Sequence, residues 1–434
     1  MMTSTTRYAN QAPGMHSTGK SSSVKCGTPD LASSLHAHHV AMVTFSPYPA
    51  DPRPRRAVSA LLEQGMTVDL ICLADDQGPG REKLDRLDIR RLPITHSRGG
   101  GLSYAYQYSA FLSLSAGILA ARSLKRRYSV VYVHNMPDFL VFSALVPKLL
   151  GARVILDMHD PMPELMTTIF NLHENTVGVR VLRFVEKWSM AFADAVITVN
   201  TACKRIFAER SCPPEKIRVV MNSPDEKIFS FRSVSLHNSS SVPAKRFVLL
   251  YHGSLVERNG LDLAVDAVSK IRQTIPHAEL RICGRSTPFL ERVMDKVRSG
   301  GIQDCVRYLG PKRLEEVVQE IEACDVGLIP NHRNAFTAIN TPTRIFEYLA
   351  LGKPVIAPRM PGIQDYFSPE ELLFFEAGDS DDLARTIEYA HHHPQHARSA
   401  VQQGQQVYLA HTWRREKQTL VNTISDILTK AVTR

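Results

Sequence analysis

Thr341-Pro342-Thr343-Arg344-Ile345-Phe346-Glu347-Tyr348-Leu349-Ala350-Leu351-Gly352-Lys353-Pro354-Val355-Ile356-Ala357 reads as a helix start, a short amphipathic helix and a following strand. Pro342 suits a first helical turn, where its missing N–H breaks no bond, and Thr341 supplies a side-chain oxygen for capping. Ile345, Tyr348 and Leu349 fall at i, i+3 and i+4 and make one face apolar, while Gly352 with Lys353-Pro354 ends the helix. Val355 to Ala357 then reads as a short buried strand. The open amides of Thr341, Pro342-Thr343 and Arg344, the helix dipole and the Arg344 cation suit an anion such as a diphosphate. One turn further on, Glu347 could accept hydrogen bonds from ribose hydroxyls. An ordinary amphipathic helix with a capping Thr and a solvated Glu would show the same pattern.

Outward from this stretch, short β-rich runs alternate with helical patterns, as in doubly wound α/β sheets. Strands are expected at 40–45, 68–72, 89–92, 130–133, 154–157, 195–199 and 217–220, with helices at 57–64 and 139–150. A Ser-rich segment without periodicity, 232–245, reads as a linker. A second alternating half starts at Phe247 and runs through strands at 279–283, 306–309 and 326–329. Residues 1–36, rich in Ser, Thr and Gly, read as a disordered tail. The domains are therefore expected at 37–231 and 246–410, with a last helical segment at 411–434. Two open α/β halves bind ligand in the cleft between them, beyond the carboxyl ends of their strands.

At 434 residues, 44% hydrophobic and 22% charged, the chain is long enough for two cores. A net charge of +9 favours anionic partners. Seven scattered cysteines without C-x-x-C spacing argue against a disulfide framework or a zinc site and fit a reducing cytoplasm. The uncharged stretch 99–121, followed by Arg122, Lys125, Arg126 and Arg127, is too polar for a confident membrane span. It reads as a buried or interfacial helix able to touch a membrane surface.

Three further stretches sit at strand ends. Tyr251-His252-Gly253-Ser254-Leu255-Val256-Glu257-Arg258-Asn259-Gly260 joins a strand to a helix, with glycines for close backbone approach and Arg258 as a fork for phosphate oxygens. Cys283-Gly284-Arg285 and Leu309-Gly310-Pro311 end the next two strands. In the first half, His134-Asn135-Met136-Pro137-Asp138 and His159-Asp160 lie at the mouth of the expected cleft. Asp379-Ser380-Asp381 reads as a helix cap rather than a metal site, and His391-His392-His393 with His396 as an exposed helix end. The loop Asp51-Pro52-Arg53-Pro54-Arg55-Arg56 lacks interleaved aromatics and suits an acceptor or phosphate contact better than nucleic acid.

The 341–357 stretch resembles the donor-binding signature of family-four retaining glycosyltransferases of GT-B fold, the bacterial polysaccharide-type, group 1 enzymes. Those carry Pro-Asn-Lys-x-x-Glu-Tyr before Gly-Lys-Pro-Val. The resemblance implies two Rossmann-like domains facing a central cleft, with the final segment near Trp413 crossing back onto the first domain. It implies a nucleoside-diphosphate sugar donor, held by Gly253, Ser254, Arg258, Gly284, Leu309, Thr341, Pro342, Thr343, Arg344 and Glu347, with Glu347 on the ribose. His159 would orient or polarise the reacting sugar beside Glu347, and His134, Asp138 and Asp160 would meet the acceptor. No metal or other cofactor is expected. The acceptor would be a glycan, a lipid-linked species or a small molecule, at a cytoplasmic or inner-membrane-face location. The chain departs from the family in three places. A further Glu eight residues before Glu347 is Ile339, and the Arg and Lys of the Gly-Arg-Leu-x-x-x-Lys-Gly turn are Ser254 and Asn259, leaving Arg258 and Arg344 as the cations. These departures leave a GT-B sugar-nucleotide epimerase and a non-catalytic nucleotide-binding scaffold as alternatives.

Overall fold

The computed structural model describes residues 35–36, 38–74, 78–94, 101–234 and 246–432. The expected tail, apart from residues 35–36, and most of the expected linker lie outside them. The chain forms two α/β layers in succession. The first runs β1 (His39–Pro47), α1 (Pro52–Glu63), β2 (Thr67–Leu73), β3 (Arg81–Leu84), β4 (Leu87–Leu92), α2 (Gly101–Lys125) and β5 (Val130–His134). It continues through a 3-10 turn (Asp138–Ala144), α3 (Leu145–Leu149), β6 (Arg153–Met158), α4 (Met162–Phe170), α5 (Val177–Phe192), β7 (Ala195–Thr198), α6 (Thr201–Arg210) and β8 (Ile217–Val219). These strands order as β3-β4-β2-β1-β5-β6-β7-β8, with all pairings parallel except β3 with β4.

The second layer runs β9 (Phe247–His252), α7 (Leu261–Ile271), β10 (Ala278–Cys283), α8 (Pro288–Ser299), β11 (Val306–Gly310), α9 (Leu314–Ala323), β12 (Val326–Leu328), α10 (Thr343–Ala350) and β13 (Val355–Pro358). Then come α11 (Pro361–Gln364), β14 (Leu373–Phe375), α12 (Ser380–His392), α13 (Pro394–Ala410) and α14 (Trp413–Val432). Its sheet is wholly parallel, in the order β11-β10-β9-β12-β13-β14. The reversals of strand order, at β1/β5 and β9/β12, open a crevice at the carboxyl edge of each sheet.

Strands covered by helices on both faces read as near-continuous apolar runs, and Val40 to Val43 and Val248 to Tyr251 are buried throughout. The chain crosses back at Thr412. Leu420, Val421 and Ile424 of α14 then pack with Val58 and Leu61 of α1, and the Lys417 ammonium lies 2.6 Å from Glu63. Six of the seven cysteines, three in each layer, are buried.

Two expected elements need correction. The Pro-Arg loop at 51–56 is the first turn of α1. Asp51 accepts the Arg53 N–H at 3.1 Å, and Pro52, as the first helical residue, needs no partner. The helix expected at 139–150 is a 3-10 turn followed by a short α-helix, because Pro147 has no N–H to extend the ladder back into the preceding turn. The uncharged stretch 99–121 falls largely on α2, which buries Phe111 and Leu119 in the first core. Among the described residues, no helix is long and apolar enough to cross a membrane.

Candidate active site between the two sheets

Glu347 sits on α10 because Tyr348 pins that helix. The Tyr348 ring lies over Gly327 of β12, where an added Cβ would come within 2.4 Å of it, and its hydroxyl donates to the Leu250 carbonyl at 2.7 Å. The neighbouring position therefore turns its carboxylate toward the end of β9. There the His252 Nε2 lies 3.4 Å from Glu347 Oε2 and, among the described residues, has no other hydrogen-bond partner. The Glu347 side chain keeps 16% exposure. Burial pushes its pKa up to about 7, against the pull of Arg344 and Arg56. Burial and Arg344 push His252 down to about 3, so the imidazole is neutral and its Nε2 can accept a hydrogen bond from the protonated Glu347 carboxyl.

Arg344 is held on two sides. Its Nη1 donates to the His252 carbonyl at 2.8 Å, and its guanidinium lies 4.7 Å from the centre of the Tyr251 ring. Gly253, at φ +121°, runs beside it, and a Cβ there would touch Arg344 Cδ at 3.3 Å. Thr341 is not the cap of α10. Its hydroxyl donates to the Gly362 carbonyl at 2.6 Å, and Pro342 occupies the cap position with no side-chain bond to the helix. The first-turn amides at Thr343 and Arg344 therefore have no capping side chain competing for them. Ser254 is exposed, and its carbonyl accepts from the Tyr251 hydroxyl and from Asn259 Nδ2, which closes the loop. Arg258, half-buried, lies 5.8 Å from the centre of the Phe336 ring. Gly284 and Leu309 stand at the next two strand ends, where Tyr308 donates to the Gly284 carbonyl at 2.9 Å.

The loop 253–260 depends on Gly260, at φ +69°, where an added Cβ would sit 1.8 Å from the Pro330 carbonyl oxygen. Both backbone strain and a clash follow from any side chain there. Gly260→Ala is expected to lower stability by about 2 kcal/mol or more in urea denaturation, and an unchanged midpoint would refute this account of the loop.

On the facing rim, Asp157 at the end of β6 is buried under three partners. Arg53 donates Nε and Nη2 to the carboxylate, the shortest contact being 2.6 Å, and Tyr132 donates at 2.8 Å. The Arg53 guanidinium holds the Asp157 carboxyl far below the usual range, whereas burial lowers the pKa of the adjacent His134, whose Nδ1 is 3.2 Å from Asp157. His134, Asp157 and His159 have ligand atoms within 4.8 Å of one another. With a guanidinium already lodged on its one carboxylate, this set does not fit a metal ion.

Of the residues expected at the acceptor, only Asp160 is partly exposed. His134 and Asp138 lie buried beneath the rim, and this corrects their direct-contact role. Burial, with Glu186 and Glu164 nearby, pushes Asp138 up to about 8. Asn135 ties the rim together: Nδ2 donates to Asp138 Oδ1 at 3.0 Å and to the Asp160 carbonyl at 2.6 Å, while Oδ1 accepts the His159 N–H at 3.1 Å. His159, half-buried, has a free Nδ1.

Sequence reasoning missed Tyr132 and Asn200, took Arg53 and Arg56 only as part of a loop suited to an acceptor or phosphate contact, and gave Asn135 and His252 no role of their own within the stretches that hold them. Asn200 caps α6 by accepting the Cys203 N–H at 2.8 Å, and its Nδ2 bridges to the Ile339 carbonyl at 2.8 Å and Thr341 Oγ1 at 3.2 Å. Ile339 itself packs against the first domain's core. Arg56 donates to the Ser223 carbonyl and to Asn222 Oδ1 and acts on Glu347 across the cleft. The crowded Pro-Arg run was the available signal.

Two family models match in sequence: "Glycosyl transferase 4-like domain" over residues 50–223, and "Glycosyl transferases group 1" over residues 235–407. The D-inositol 3-phosphate glycosyltransferase of Corynebacterium diphtheriae is 22% identical over 320 residues, 70% of this chain and 72% of that protein. Sucrose-phosphate synthase from Thermosynechococcus elongatus superposes with a TM-score of 0.72 at 19% identity, over 91% of this chain and all of the other. Anabaena Alr3699/HepE, solved in complex with UDP-glucose, superposes with a TM-score of 0.62 at 15% identity, over 91% and 99%.

Proposed function

The chain belongs to the group 1 glycosyltransferases of GT-B fold, and on that premise we propose that it moves a sugar, with retention, from a nucleoside-diphosphate donor to an acceptor hydroxyl. The observation that carries this reading is Glu347, a partly shielded carboxylate one turn past uncapped helix amides and beside Arg344 at the cleft floor. In it, Glu347 grips the ribose hydroxyls. Arg344, Arg258 and the α10 amides face the diphosphate, where charge develops as the sugar departs. His159, with its free Nδ1, and Asp160 meet the sugar and the acceptor, oriented through Asn135. Attack and departure share one face of the sugar, and no metal or other cofactor enters. The acceptor is taken as a hydroxyl of a growing envelope or extracellular polysaccharide, at the inner membrane face.

One observation favours a second reading. Position 339, a Glu in the family, is an isoleucine that packs on the opposite domain, as suits a nucleotide-binding subunit without turnover. Nucleoside diphosphates and their sugars separate the two. A selective rise in melting temperature is expected with one base, by mass action, together with release of that diphosphate when acceptor is added. Stabilisation without turnover, toward any glycan or lipid-linked acceptor, would leave the scaffold reading standing.

A further inference from the structure

Helix α5 has an apolar face on its outside. Val177, Val181, Phe184 and Trp188, spaced i, i+4, i+7 and i+11, form one stripe and are exposed by 67%, 52%, 62% and 58%. The opposite face, with Val179, Glu186, Ser189 and Met190, is buried in the domain. A surface helix ordinarily turns polar residues to water, so a second apolar stripe on the outer side points to a partner.

The helix is anchored rather than loose. Glu186 is fully buried and pairs with Arg210 of α6 at 2.6 Å, and Arg210 also holds Glu164 of α4 at 2.6 Å. Helix α4 packs against α5, and at its end Ile169 and Phe170 are also exposed. Helix α4 starts four residues after β6, just past His159 and Asp160, and its Thr168 donates to Asn334 of the second domain at 3.1 Å. The patch therefore lies beside the cleft mouth on the acceptor side.

Charge decides what covers it. Arg180, Arg183 and Lys187 run along one flank of the stripe, while the helix's single acid is the inward Glu186. Glu174, on the preceding loop, pairs with Arg183 at 3.6 Å and, among the described residues, with no other cation. A second copy of the chain would set these cations against their own kind. An anionic lipid surface takes both features, aromatic side chains at headgroup depth and cations beside phosphate.

We propose that α5, with the end of α4, is the docking surface by which this protein lies on an anionic bilayer, cleft mouth toward the lipid. The inference rests on the transfer reading above, which takes the acceptor to be at the inner membrane face. Donor binding is measured separately, so failure of one is distinguishable from failure of the other.

The test is co-sedimentation of the full chain with vesicles of phosphatidylcholine alone and of phosphatidylcholine mixed with phosphatidylglycerol. Binding to the mixed vesicles, weakened by salt, is expected, with a drop of about tenfold or more in partitioning for the Phe184→Ser/Trp188→Ser pair. Arg180→Ser/Lys187→Ser is expected to lose the preference for the anionic vesicles. Nucleotide-dependent stabilisation should be unchanged in both variants. Equal partitioning of wild type and Phe184→Ser/Trp188→Ser, or no binding of wild type to either vesicle, would overturn the proposal. A concentration-dependent dimer abolished by the same pair without vesicle binding would assign the stripe to a second copy instead.

Discussion

Glu347→Ala is expected to lower kcat/KM for the sugar-nucleotide donor by about two to three orders of magnitude, the equivalent of losing about 3–4 kcal/mol of charge-assisted hydrogen bonding. The folded protein survives the change, because Tyr348 and not Glu347 pins α10. A variant turning over the donor at the wild-type rate would remove Glu347 from the site. The same carboxylate sets a pH dependence. Its pKa, pushed up to about 7 by burial, lies above the usual 4.5. The folded chain thus binds a proton that the unfolded chain has released, so this group's contribution to stability is full below about pH 4.5 and is lost as pH rises through 7. Ribose hydroxyls need the ionised form as acceptor, so donor affinity should run the other way, rising through pH 7. Glu347→Gln should flatten that profile, and an unaltered slope would assign the titration elsewhere.

Arg53→Ala is expected to destabilise the first domain by about 3–5 kcal/mol, since it strands a buried carboxylate at Asp157 with Tyr132 and the neutral His134 but no cation beside it. The cost is that of an uncompensated charge and not of a lost contact. Arg53→Met combined with Asp157→Leu should recover much of the loss, because two apolar groups of similar volume need no partner. Urea denaturation of the single and double variants reads both numbers. Equal destabilisation would show that the pair is not the unit. Because Asp157 is held below its ordinary range, its contribution is present above the usual carboxylate pKa and falls away as the solution is acidified.

Much of this was legible in the chain, and the parts that were not share physical causes. The parallel strands were readable because burial on both faces makes them apolar without interruption, as at Val40 to Val43. Glu347 and Arg344 could be singled out because a helix start compresses its signal into a few adjacent residues. Strand β3 was missed because Arg81-Glu82-Lys83-Leu84 is almost wholly solvent-facing and pairs only at the sheet edge. Helix α13 was missed because it packs through small side chains. Ala397, Ala400 and Gly404 let it approach α10 closely enough that a Cβ at 404 would meet Leu349 at 2.8 Å, and such residues leave little hydrophobic periodicity. The rim was misjudged for another reason. His134 and Asp138 carry the residue types of a binding surface, but only the three-dimensional path puts Asn135, Arg53 and Tyr132 over them. Bonds such as Arg53 to Asp157, 104 positions apart, have no local signature.

The buried cysteines make this protein its own reporter of unfolding. Cys72, Cys203 and Cys212 are sealed in the first layer and Cys283, Cys305 and Cys324 in the second. Burial raises the thiol pKa to about 12 at Cys203 and Cys324, so thiolate is scarce even where reagent penetrates. Alkylation in the native state must then wait for a local or global opening. Three thiols released together, identified by peptide mass, would time the melting of one half of the chain independently of the other. Co-release of all six would mean that α14, strapped across the first half, makes the two halves a single cooperative unit.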